Sequence, residues 1–226
     1  MSLTTAVEIS QKNFKIPKEI TYSDGNFCLV FRPLMEADAD AINAAVMLSI
    51  ENLRPFMDWA NRKLNVENQL ERIQKSKESY SKGIEFDFSV IDINTGEFLM
   101  SATLGPPRSL NKKALSIGYW TSTKYVNKGL ATLITKILTI LAFDYLGCDR
   151  VEIGCNQSNE KSIRVINNCN FILEGKVRNY FTEPTREMIK NGYCQDRTCF
   201  QYALITQDLI NLSWYRDIKN KMIVKL

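Results

Sequence analysis

Two hydrophobic periods alternate along this chain. "FCLVFRPL" (27–34) is a continuous apolar, β-branched run and predicts a strand ended by Pro33. From 36 to 60 the apolar residues Ile42, Ala45, Val46, Ile50 and Leu53 recur at helical spacing. Pro55 interrupts that pattern and predicts two short helices. Residues 63–83 read as a polar amphipathic helix with Gly83 as its stop. Phe86, Phe88 and Val90 then alternate with polar residues, and "NTG" supplies a turn with Gly96 free to take a positive φ, so 85–104 is a hairpin. A strand follows at 113–120, where Gly118 marks a bulge or a close approach to the backbone. The strongest helical pattern spans 129–147, with Leu130, Leu133, Ile134, Ile137, Leu138 and Leu141 on one face and Gly147 as cap. Beyond it lie a strand (150–155), a short helix (158–170) and two strands (171–181 and 197–205) joined by a polar loop.

This order predicts a mixed α/β, α+β-like domain at 27–205 with two crossover helices. Residues 1–26 read as a loosely structured extension and 206–226 as a helical, partly apolar tail.

Composition narrows the function. The chain has 226 residues, 45% of them hydrophobic and 24% charged, enough for one sizeable core. The net charge of +4 is spread along the sequence, which argues against nucleic-acid binding as the main role. No apolar run approaches the roughly 18 residues of a membrane helix, and no signal pattern opens the chain, so the expected location is cytoplasmic. The six cysteines form no CxxC pair and read as reduced core thiols. Histidine is absent, which removes Ser-His-Asp and Cys-His chemistry and argues against a metal site. Neither GxxxxGK[ST] nor GxGxxG occurs. What remains is the lone Gly129 before a strong helix. A helix mouth offers unpaired amides and a partial positive charge, a binding place for phosphate and also an ordinary helix start.

The run "SIGYW…KGLAT…LGCDRVEIGCNQSNEKSIRVINNCNFILEGKVRNY" resembles the GNAT acetyltransferases. Within them it is most similar to the RimJ/RimL branch, which acetylates ribosomal-protein N-termini. "FRPLMEADADAI", "ENLRPFMDWA" and "NGYCQDRTCFQYALI" extend the similarity over roughly 27–205. The resemblance implies a central twisted mixed sheet with splayed middle strands and flanking helices. It implies acetyl-CoA as cosubstrate, direct transfer to a primary amine, and no metal. The acceptor it implies is a protein N-terminus, with a small amine such as a polyamine, an antibiotic or a metabolite as the alternative, and the expected state is a monomer or homodimer. A catalytically weak CoA-binding or protein-interaction module is a further reading, motivated by Val126 and Ser116.

Carried over residue by residue, the resemblance puts the pantetheine arm beside the strand that ends at Trp120 and Thr121. The pyrophosphate goes to Asn127, Lys128, Gly129, Leu130, Ala131 and Thr132, with Lys124 adding charge. Val126 stands where the family usually has Arg or Gln. Ser162 would protonate the leaving thiolate and Asn159 would hold the pantetheine; locally both also fit a helix cap. Ile166 replaces the tyrosine of many relatives, and Asn170 replaces a glycine. Ser116 stands where relatives often carry an acidic base, which leaves Glu51, Glu85 and Asp87 as candidates. Phe56, Trp59, Tyr119, Trp120 and Tyr180 could line an acceptor pocket.

Overall fold

The structure, a computed structural model, describes residues 17–111 and 113–226. Nine strands form one sheet: β1 Glu19–Ser23, β2 Cys28–Pro33, β3 Phe86–Asp92, β4 Phe98–Gly105, β5 Ala114–Thr121, β6 Arg150–Asn156, β7 Ile172–Val177, β8 Cys199–Ile205 and β9 Met222–Lys225. Their spatial order is β7-β8-β6-β5-β4-β3-β2-β1-β9. Among the described residues only the central β5–β6 pair is parallel, and a helical crossover connects it, as a parallel pair requires. The helices are α1 Ala39–Leu53, α2 Val66–Ser81, α3 Leu130–Ile140, α4 Glu160–Asn168, α5 Arg186–Lys190 and α6 Tyr215–Asn220.

Each face of the sheet carries its own core. Phe86, Phe88 and Val90 of β3 pack with Ile134, Ile137 and Leu138 of α3 on one face. Ile42 and Val46 of α1, Ile73 of α2 and Trp120 of β5 pack on the other. The alternation along β3 and β5 assigns the faces: Phe86, Phe88 and Val90 go to the α3 side, while Asp87, Ser89, Gly118 and Trp120 go to the α1/α2 side.

Most predicted elements are present. Gly83, Gly96 and Gly147 take positive φ at the stops and turn expected of them, and Asn170 does the same at φ 62°. Several expectations need correction. Pro55 ends α1 as predicted, but only a 3-10 turn at Asp58–Asn61 follows, not a second α-helix. Gly118 is no bulge, because the β4–β5 register runs unbroken through Thr103↔Gly118. The helix over 129–147 is α at 130–140 and closes in a π turn at Leu141–Tyr145. The polar loop after β7 holds the short helix α5.

Of the expected loose extension 1–26, residues 1–16 lie outside the described residues. Glu19–Ser23, however, is strand β1, pairing with β2 on one side and β9 on the other. The tail carries a helix as expected but ends in strand β9. Leu212 and Ile218 of this tail join the α3 core, and Trp214 donates its indole N–H to Asn170 Oδ1 at 3.1 Å.

Candidate active site

The site begins where two strands part. β5 and β6 pair at Ala114↔Arg150, Leu115↔Val151 and Ser116↔Glu152, and no further pair joins them. Both strands continue, to Thr121 and Asn156, so their facing edges diverge with main-chain donors and acceptors exposed. Two cavities meet at this splay. One, of about 620 Å³, opens on the α3/α4 side, and the other, of about 1030 Å³, lies under the α1/α2 side. Phe56, Met57, Tyr119, Trp120, Asn159 and Ser162 line both.

The smaller cavity reaches the mouth of α3. Gly129 is the N-cap residue, at φ 79° and ψ −5°, a left-handed conformation that favours glycine. It offers no side-chain cap, and the first amide bonded back in this turn is Leu133 N to Gly129 O, at 3.0 Å. The amides of the first turn therefore remain free for an anion. Val126, Asn127, Gly129, Leu130, Ala131 and Thr132 line the cavity, as does Thr121. Asn127 also takes positive φ, at 60°. Of the two predicted lysines, Lys128 lies over the Tyr125 ring at 5.1 Å, and Lys124 pairs with Glu97 at 2.5 Å. Neither is part of the cavity wall, where the cations are instead Lys161 and Arg164 of α4, beside the free backbone amides of the mouth.

At the junction, Asn159 caps α4, its Oδ1 accepting from Ser162 N at 3.1 Å. The Ser162 hydroxyl takes no part in that cap. It lies 3.1 Å from the hydroxyl of Tyr119. Burial pushes the Tyr119 phenol well above its ordinary value, and the Ser162 bond only partly opposes this, so Tyr119 keeps its proton throughout the neutral range. The Cys155 thiol, also near Ser162, is pushed up by burial to about 11 and stays protonated. A hydroxyl on β5 thus comes to Ser162 although Ile166 on α4 is buried and apolar. Sequence reading placed Tyr119 among pocket aromatics and missed its hydroxyl partner; strand parity, which turns Tyr119 towards α4, was the available signal.

The floor of the larger cavity is a lattice of same-face residues across four strands. Glu85 lies beside Gly105, followed by Ser116 and Glu152. The next row runs Asp87, Thr103 and Gly118, and Gly154 continues it on β6. Thr103 donates to Asp87, and Arg72 approaches Asp87 at 4.0 Å. A Cβ on Gly118 would meet only Thr103 Cβ, at 3.8 Å. The protein itself does not need glycine there, so the bare position leaves room at the splay for a ligand.

Glu152 accepts from Arg150 Nε and from the Arg108 amide, both at 2.8 Å. Burial alone would raise its carboxyl, but these donors hold it below the ordinary range. The Glu85 carboxyl behaves oppositely. Burial and the charge of Asp87 push it up, against the pull of Arg72. Glu51 lies on the rim of the smaller cavity, with its side chain 80% exposed and paired with Arg54 at 3.1 Å. Trp59 and Phe56 line the larger cavity. Tyr180 stacks on Arg108, and its neighbour Phe181 lines the wall.

A splayed mixed sheet with an open helix mouth beside one cavity and a polar second cavity adjoining it has room for two ligands that meet at the splay. The acetyltransferase (GNAT) domain family matches residues 29–172, and the chain belongs to that family. Among curated relatives, YdaF of Bacillus subtilis (strain 168), named as a candidate ribosomal N-acetyltransferase, is 39% identical over 69 residues; the match spans 30% of this chain and 37% of that relative. The fold is shared with Mycobacterium smegmatis RimJ, solved with a CoA disulfide (TM-score 0.73, 19% identity, 91% of this chain and 96% of that one). It is shared too with the ribosomal-protein-S5-alanine acetyltransferase of Vibrio fischeri (TM-score 0.68, 18% identity, 83% and 97%). No group of three or more metal-ligating side chains occurs among the described residues, and no helix there is long and apolar enough to cross a membrane.

Proposed function

We propose that this protein transfers the acetyl group of acetyl-CoA directly to a primary amine, and that the amine is the N-terminus of a protein, as the resemblance of its motifs to the RimJ/RimL branch implies. The observation that carries the reading is the junction: two adjoining cavities share Tyr119, Asn159 and Ser162 at the splay.

In this reading, CoA occupies the smaller cavity. The diphosphate meets the free amides from Asn127 to Thr132, and the pantetheine arm adds itself to the unpaired edge of β5 at Gly118 to Trp120. The residues fit this ligand, because Gly129 brings backbone to the anion with no side chain competing for the amides. Val126 costs a polar contact but no amide. The acceptor amine enters the larger cavity and reaches the thioester at the splay.

Ser162 and Tyr119 form a two-hydroxyl relay that delivers a proton to the departing thiolate, since their hydroxyls lie 3.1 Å apart and both residues line both cavities. Glu85 takes the amine's proton through water. Its raised carboxyl makes it a better base near neutrality than an ordinary glutamate. It lies beside Gly105, the strand neighbour of Ser116, and so approaches the position that Ser116 leaves without a carboxylate. Glu51, exposed on the cofactor side, is not part of this route.

The test is free-thiol release from acetyl-CoA with a panel of peptide N-termini, polyamines and aminoglycosides. Acceptor-dependent release with peptides is the expected outcome. Release with small amines alone would move the protein to another acceptor class. Binding of acetyl-CoA without release to any acceptor would favour the non-catalytic module.

A further inference from the structure

We infer that the larger cavity reads a carboxylate side chain close behind the acceptor amine, and that Arg108 is the residue that reads it. The inference rests on the N-terminal acceptor proposed above and narrows it to N-termini with an acidic residue in the second or third position.

Arg108 is positioned on three sides. Its amide is tied to the buried Glu152 carboxylate at 2.8 Å. Its guanidinium carbon lies 5.0 Å from the centre of the Tyr180 ring. Its Nη1 rests on the bare backbone of β6, where a Cβ on Gly154 would fall only 1.7 Å away. Its side chain has one protein acceptor among the described residues, the Cys199 sulfur at 3.5 Å, which is a weak one. It makes no ion pair there. The other N–H donors of a planar, always-charged fork are therefore held at the cavity wall without a protein carboxylate, the arrangement that suits bidentate capture of one.

The cavity is lined by charges of both signs, Asp58, Glu71, Arg72 and Lys75 among them, and Arg108 pairs with none of its carboxylate side chains among the described residues. The free carboxylate Glu85 and the Asp87–Thr103 pair stand on the β3/β4 side of Gly118, where an amine is delivered. Arg108, from the β4–β5 loop, lies against β6 across the splay, and Arg62 and Lys63 of the same cavity also lack ion-pair partners among the described residues. An acceptor with a cationic head and an anionic group a residue or two behind it matches this order. An extended chain advances about 3.3–3.6 Å per residue, so one or two residues cover the step from the splay to its β6 wall.

The experiment compares kcat/KM for peptides that differ in one place: Ser-Asp, Ser-Asn and Ser-Lys N-termini, the same three residues moved to the third position, and free aspartate as a small amino-acid control. One preparation gives each ratio, so the folded fraction of a variant cancels. The Asp peptide at its better position should exceed its Asn counterpart by about tenfold, the size of a charge-assisted pair at a partly solvated site. Raising the ionic strength should shrink that ratio. Arg108→Gln should bring it close to one, Arg108→Lys should retain part of it, and Arg108→Glu should favour the Lys peptide. Peptide turnover with equal Asp and Asn rates in the wild type, or an Asp preference unchanged in Arg108→Gln, overturns this inference and leaves the N-terminal reading intact. Turnover of free aspartate or other small amines without any peptide turnover overturns both.

Discussion

The proposed chemistry rests on three side chains, the hydroxyls of Ser162 and Tyr119 and the carboxyl of Glu85. Ser162 and Tyr119 each carry a proton that a leaving thiolate can use. If they act as a relay, Ser162→Ala and Tyr119→Phe should each lower kcat by roughly tenfold to a hundredfold, with the double variant no worse than the weaker single, because removing either link breaks the same chain. Acetyl-CoA affinity should change little. Full turnover per folded molecule in both variants would leave the hydroxyls as mere neighbours. Glu85 supplies a pH signature. A carboxyl whose folded pKa lies above its ordinary value of 4.5 contributes its stability below that value and loses it as pH rises through the folded pKa. Glu85→Gln should therefore melt above the wild type at neutral pH, converge with it below about pH 4.5, and turn over more slowly at neutral pH. An identical melting profile at both pH values would place the carboxylate in water and weaken its case as the base.

At the scale of elements, the α3 mouth is the clearest test of the cofactor side. Gly129→Asp puts a Cβ at φ 79° and a carboxylate where amides face an anion. The backbone strain alone should cost about 1–2 kcal/mol. Acetyl-CoA binding, followed by its thermal shift, should be lost in a variant that still folds by circular dichroism. Normal binding in that variant would move the diphosphate elsewhere. The glycine-led start of this helix was legible in sequence, but its reading as a phosphate loop came only with the family resemblance, because a lone glycine before an apolar helical face also opens ordinary helices. The strands at the two ends of the chain were not legible. Four residues of β9 and five of β1 are too short to show a period, and their pairing depends on each other across the whole sequence. The continuation of α1 past Pro55 was misread for a different reason: proline stops a helix, but whether another begins depends on tertiary packing. The acceptor side was legible least. Its base candidate and its arginine are assembled from β3, the β4–β5 loop and β6, so only the register of the strands brings them together.

At the scale of the whole molecule, acetyl-CoA at a hundredfold excess over its dissociation constant should stabilise the protein by about 2.7 kcal/mol, if it binds only the folded state. The pairing of β1 with β9 has a separate consequence. Lys18 N donates to Lys225 O at 2.8 Å, and Lys18 Nζ reaches Leu226 O at 3.3 Å, so residues 18 and 226 are neighbours at one sheet edge, remote in order from the splayed pair. The order in which the polypeptide is threaded is then separable from the shape it reaches. A circular permutant that joins residue 226 to residue 17 through a short glycine-serine bridge, and opens the chain between Asn94 and Thr95 in the exposed β3–β4 turn, should recover the same fold. It should also recover the same thiol release, with folding kinetics altered because the outer strands would now meet early. A permutant that folds without its β1–β9 edge protected from amide exchange would show that this pairing does not hold the two ends together.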